Sequence, residues 1–191
     1  GRGIDSTLRT VRKVNTIGSL GLNVANVVKN NFQGRLQNLI GSTFADWSSS
    51  KSMTKASLNI KTNYAWFLSQ GEKSLPQRDI HFHILAYYNP ELEGNIYDNV
   101  LKGSTKRNAA TANIMLFNKA MEFSISSNLL FGHLYHKKVK NEEGEIKELF
   151  DILTVVDGRL TPKKGFVDLQ TGQEINADYL LNDKLAYSTV S

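Results

Sequence analysis

All four histidines of the 191-residue chain fall in two close pairs, His81-Phe82-His83 and His133-Leu134-Tyr135-His136. Residues two apart share a face of a strand, and residues three apart share a face of a helix. Either pair can therefore aim two imidazoles at one metal ion, with Asp79 adding a carboxylate, and four nitrogen ligands would satisfy zinc. Nothing in the sequence brings the pairs together, and each lies in a segment rich in core residues. Core and surface histidines are the default, and neither a metal nor a cofactor is assigned. Nucleophilic chemistry has less support. The chain has no Cys, which excludes a cysteine nucleophile, a disulfide framework and a Cys-ligated zinc or iron–sulfur site. It also lacks a Gly-x-Ser-x-Gly elbow. Gly103-Ser104-Thr105-Lys106 holds fragments of a phosphate loop, but without the earlier Gly and the Gly-Lys-Ser/Thr order it reads as a loop and a helix cap. The acids of Glu142–Asp151 read as a solvated hairpin. The expectation is a protein without a catalytic centre.

Charge is the next chemical resource, and it is unevenly placed. Residues 1–75 hold ten basic and three acidic side chains, a surplus of seven, whereas the remainder has 13 basic and 15 acidic. A basic segment attracts phosphates and anionic surfaces. Arg9, Arg12, Lys13, Lys29 and Arg35 are the candidate contacts for nucleic acid or another anionic partner. A solvated helix face explains the Arg9–Lys13 cluster equally well.

The elements that must position these residues are mostly helical. Over residues 7–31, apolar positions such as Leu8, Val11, Ile17, Leu20, Val24 and Val28 recur at steps of three or four. Gly18 and Gly21 interrupt that helix at a cost of about 1 kcal/mol each relative to Ala, and tight packing on another helix would offset it. Gly18, Gly21, Val24 and Val28 are therefore candidate interface positions, as are Trp66 and Phe67 of an aromatic face at Tyr64-Ala65-Trp66-Phe67. The Ile17–Val28 stretch is apolar enough to lie on a membrane surface, but a core or interface helix is the preferred reading. No apolar run approaches the roughly 20 residues that cross a bilayer.

A second helix is expected around Phe32–Trp47, then a flexible Ser48–Ser52 joint, and a third helix over Thr54–Ser69 stopped by Gly71 and Pro76. Residues 79–88 fit a buried strand or a short helix. The central core helix should run from an N-cap at Ser104 to about Tyr135, with Ile114, Phe117, Met121, Ile125 and Leu129 on one face and a bend at Ser126-Ser127-Asn128. Beyond residue 133, turns at Asn141–Glu145, Asp157-Gly158 and Gln170–Gln173 predict a small antiparallel meander, followed by a terminal helix that begins near Tyr179. The predicted class is mainly α with a small antiparallel β-hairpin or meander near the C-terminus. Its expected divisions are a basic helical segment (1–75), a central helical core (76–136), and a β-hairpin element with a terminal helix (137–191).

The run Leu149-Phe150-Asp151-Ile152-Leu153-Thr154-Val155-Val156-Asp157-Gly158-Arg159-Leu160 continues into Thr161-Pro162-Lys163-Lys164-Gly165-Phe166, then reaches Gly172 and an acidic helix start at Asp178. This order resembles a segment of the very long virion proteins of crAss-like phages, tailed viruses of gut Bacteroidetes. There a short apolar element, a Val-Asp-Gly-Lys/Arg-Leu turn, a Lys-Gly strand and a helix follow one another. Lys106-Arg107-Asn108 and the Asn-rich helix carrying Phe117 and Glu122 fit the same pattern, which covers roughly the last 90 residues. Eighteen Asn against three Pro suits an AT-rich phage gene.

The resemblance implies a virion component, packaged in the capsid or tail and ejected with the genome as cargo. Its partners would be portal or tail proteins and symmetry-related copies of itself, and it would reach the host cell after ejection. The Gly1-Arg2-Gly3 start and the absence of a stop signal after Tyr187 lead to the expectation that the chain is a segment of a longer polypeptide. Two other classes stay open: nucleic-acid binding through the basic N-terminal positions, and a fragment of a virion-borne enzyme.

Overall fold

Ser49 begins the described fold by capping a helix. Its hydroxyl accepts the Ser52 amide at 3.2 Å, and the Ser52 hydroxyl accepts the Ser49 amide at 2.9 Å. This reciprocal pair fixes the N-terminus of α1 (Ser50–Ser57). The serine run expected to be a flexible joint is therefore a helix start. The computed structural model describes residues 47–59, 61, 64–71, 73–91 and 109–188, together with single positions 26, 29, 33, 34, 37 and 40.

The helix expected over Thr54–Ser69 is two helices. Leu58 caps α1, and the Asn59 side chain accepts the Lys61 amide at 3.0 Å, a local turn that competes with helix continuation. The chain then enters α2 (Tyr64–Gly71) and a single 3-10 turn at Leu75–Gln77. Asp79 caps α3 (Ile80–Tyr88) by accepting the His81 amide at 2.9 Å. His81, Phe82, His83, Ile84, Leu85 and Tyr88 of α3 are all buried, so the helix has no apolar stripe to read. That is why its sequence fitted a strand equally well.

The long helix α4 (Ala109–His136) is continuous through Ser126-Ser127-Asn128, where a bend was expected. Its most buried face carries Phe123, Ser127, Leu130 and Leu134, with Phe131 alongside. Met121, Ile125 and Leu129 of the expected stripe are half-buried on its flank. The side chains of Ile114 and Phe117, and the Ser104 cap, lie outside the described residues. The helix α1 packs along α4 where Gly132 provides room, because a Cβ there would collide with the Met53 sulfur.

Beyond α4 the strands form two sheets instead of one meander. The strand β1 (Lys138–Asn141) is central to the first, pairing antiparallel with β2 (Ile146–Glu148) and with β5 (Phe166–Asp168). A 3-10 turn at Leu149–Ile152 separates it from the hairpin of β3 (Leu153–Val156) and β4 (Arg159–Pro162). Asp157 and Gly158 both have positive φ, 50° and 75°, the geometry that a two-residue hairpin with right-handed twist requires. Gln170–Gln173 does turn the chain, but only a single bridge, Val167 to Glu174, follows it. The terminal helix is α5 (Ala177–Ser188).

One apolar cluster joins these elements, from Ala56 and Phe67 through Ile84, Leu130 and Leu149 to Leu180 and Tyr187. The described residues thus form a body of five α-helices with two small antiparallel sheets between α4 and α5, mixed rather than clearly mainly α and roughly the expected class.

The first predicted helix and the sites on it fall largely outside the described residues, including Arg9, Arg12, Lys13, Gly18, Gly21, Val24, Val28 and Arg35. Lys29 is described, and is helical and exposed. Gln33, Gly34, Gln37 and Ile40 of the second predicted helix are helical, while Trp47 is already past its end. A Cβ on Gly34 would come within 2.9 Å of Ile125, so this stretch approaches α4 closely.

Candidate functional site

A cleft of about 360 Å³ opens between Trp47, the end of α4, the turn after β5 and one face of α5. The elements deliver its ionisable groups by simple spacing. His133 and Lys137 are four residues apart at the end of α4. Tyr179, Asp183 and Tyr187 recur every four residues on α5, and all three are buried. Asp168 ends β5, where its Oδ1 also accepts the Gln170 and Thr171 amides at 2.7 and 3.0 Å and so shapes the turn.

At the centre is Asp183, 5% exposed. Its carboxylate receives His133 Nε2 at 3.0 and 3.1 Å, the Lys137 ammonium at 2.7 Å and the Tyr88 hydroxyl at 2.7 Å. Burial acts to raise the Asp183 carboxyl, but the His133 hydrogen bond and the charges of His133 and Lys137 outweigh it, and the group lies well below the usual carboxylate range. Asp168 is held in the same way. Burial opposes its ionisation, while the Tyr179 hydroxyl, two backbone amides and Lys137 favour it, with a net lowering. Burial and the facing carboxylates push the Tyr88 and Tyr179 hydroxyls upward, so both remain donors. Lys137 lies 3.9 Å from Asp168 and 4.9 Å from the centre of the Tyr179 ring.

His133 faces an acceptor on each side. Nδ1 lies 3.2 Å from the Trp47 carbonyl oxygen, and Nε2 meets the Asp183 carboxylate. Carbonyl and carboxylate oxygens only accept, so whichever ring nitrogen carries a proton donates it to one of them.

His81 is arranged in the opposite sense. Its Nδ1 donates to Asp79 at 2.6 Å, and its Nε2 accepts from the Asn59 amide at 3.0 Å. Burial depresses the His81 pKa, with Lys61 adding to it against the pull of Asp79, and the ring is neutral. Burial resists the Asp79 charge, but Lys61 at 2.7 Å and two hydrogen bonds from His81 bring its pKa down to about 2. His83 Nε2 donates to the Leu75 carbonyl at 3.1 Å. The two histidine pairs thus serve separate hydrogen-bond sets, and no group of three His, Cys, Asp or Glu among the described residues is placed to hold a metal ion.

Two expectations need correction. No motif pointed to a cleft that gathers titrating groups, yet His133, Lys137, Asp168, Tyr179 and Asp183 meet in one. The available signal was an aspartate on the buried stripe of a helix, at Tyr179-Asp183-Tyr187. Phe67, a candidate interface position, is instead fully buried, stacked on Phe82 and tilted against Phe123, and Tyr64 beside it is buried as well. Their alternation on α2 is dictated by the core. Trp66 is half-buried against the core and meets His81 edge-on.

No helix among the described residues is long and apolar enough to cross a membrane. Comparison with protein families, with curated proteins and with solved structures finds nothing that matches this chain.

Proposed function

We propose that this chain is a non-catalytic structural segment of a large virion protein of the crAss-like phage type. It is packaged in the capsid or tail, docks on portal or tail proteins, and leaves with the genome. The order of elements through Leu149–Phe166 motivates the virion assignment, since it is the stretch that resembles those proteins.

One observation carries the non-catalytic half of the reading: both buried carboxylates of the cleft, Asp168 and Asp183, are bonded to protein donors. Asp183 holds His133, Lys137 and Tyr88, Asp168 holds Tyr179 and two backbone amides, and outside the cleft His81 Nε2 is met by the Asn59 amide. A carboxylate already held by several donors is poorly placed to act as a general base. The same contacts tie α3, α4, β5 and α5 together, which suits a load-bearing module. Docking is favoured by Leu181 and Leu185, neighbours one turn apart on α5 that are 48% and 56% exposed.

The test is association of the whole chain with purified portal and tail proteins at low and high salt. Retention of binding at high salt is the expected result, because apolar contacts are not screened. Binding only to DNA, with a steep loss as salt rises, would transfer the role to the basic N-terminal surplus and overturn the reading.

A further inference from the structure

We propose that the cleft between α4, α5 and the β5 turn is a binding site for a neutral polyhydroxylated ligand, a monosaccharide or a short stretch of glycan. The inference does not rest on the virion assignment.

Three features of the cleft carry it. The first is charge. The carboxylates of Asp168 and Asp183 are already held by Lys137, His133, Tyr88 and Tyr179, and Lys137 is paired with Asp183, so an ionic ligand would have to displace a protein partner. The second is the rim. Gln170, Gln173 and Asn182 border the opening, and among the described residues no protein group hydrogen-bonds their side-chain amides. Each amide offers two donors and an acceptor that serve hydroxyl groups in either sense. The third is the wall. Trp47 is half-buried at the cleft edge, with its ring 4.2 Å from the His133 ring. An indole face presents the negative side of its quadrupole, which suits the weakly positive C–H face of a sugar ring. A volume of about 360 Å³ is at the small end of ligand sites and admits one or two sugar units.

The test is saturation-transfer NMR on the full chain with glucose, galactose, mannose and N-acetylglucosamine, with glucuronate and glucosamine as charged counterparts. At least one neutral sugar should give a saturable signal. Asn182→Ala and Gln173→Ala alter exposed side chains and should leave the circular dichroism unchanged while weakening that sugar roughly tenfold each, the effect of one lost hydrogen bond. No saturable signal with any neutral sugar, binding of a charged sugar alone, or undiminished binding in both variants would overturn the proposal.

Discussion

Truncating Asp183 to Ala would leave His133 Nε2 and the Lys137 ammonium without the carboxylate they share, and the Tyr88 hydroxyl without its acceptor. Removing one partner of a buried ion pair costs about 3–5 kcal/mol. Asp183→Ala should therefore lower stability by that amount in urea denaturation, whereas Lys184→Ala on the same helix should cost little. The pH dependence follows from the carboxylates. Asp79, Asp168 and Asp183 all have folded pKa values below the ordinary one, so the unfolded chain takes up protons first as pH falls through about 4. Their stabilisation is complete above that pH and is lost below it. His81 has the same sign. Held neutral, it favours folding above its ordinary value of about 6.5 and opposes it increasingly below. Urea midpoints should thus fall gently from pH 7 to 5 and steeply from pH 4 to 2, and a flat profile would contradict the buried charge network. Sequence alone could not reveal that network, because its members come from four elements separated by up to 95 residues.

At the scale of the elements, α1 meets α4 at Gly132, where an added Cβ would press on the Met53 side chain. Gly132→Ala sets a methyl against the Met53 sulfur, near the end of a flexible, half-buried side chain that can swing aside, so the cost should stay below about 1 kcal/mol and be partly offset by the gain in helix propensity. Met53→Ala in the same chain should recover part of the loss, a coupling that a double-mutant cycle of melting temperatures measures. The elements most legible in the sequence were those with local signals: the Asp157-Gly158 hairpin, the long central helix and the terminal helix. The elements read less well were decided elsewhere. The α3 segment is buried on every side and so lacks periodicity, and Ser48–Ser52 looked like a linker because a capping box uses the same residues as a loop. The split into two sheets arises because β1 pairs with β5 across the β3–β4 hairpin, a long-range choice that no turn motif encodes.

Across the whole molecule, one apolar cluster and one charge network join every described helix, and both converge on α5. The α5 helix is gripped through Tyr179, Asp183 and Tyr187 on one side and presents Leu181 and Leu185 on the other. Under the proposed virion role, a partner docked on Leu181 and Leu185 would bear on a helix whose opposite side is anchored in the core. The most direct test is quantitative mass spectrometry of gradient-purified particles of the encoding phage, before and after triggered genome ejection. The proposal predicts peptides of this chain at a fixed ratio to portal protein in filled particles, and their depletion from emptied ones. Peptides abundant in infected cells but missing from filled particles would contradict it.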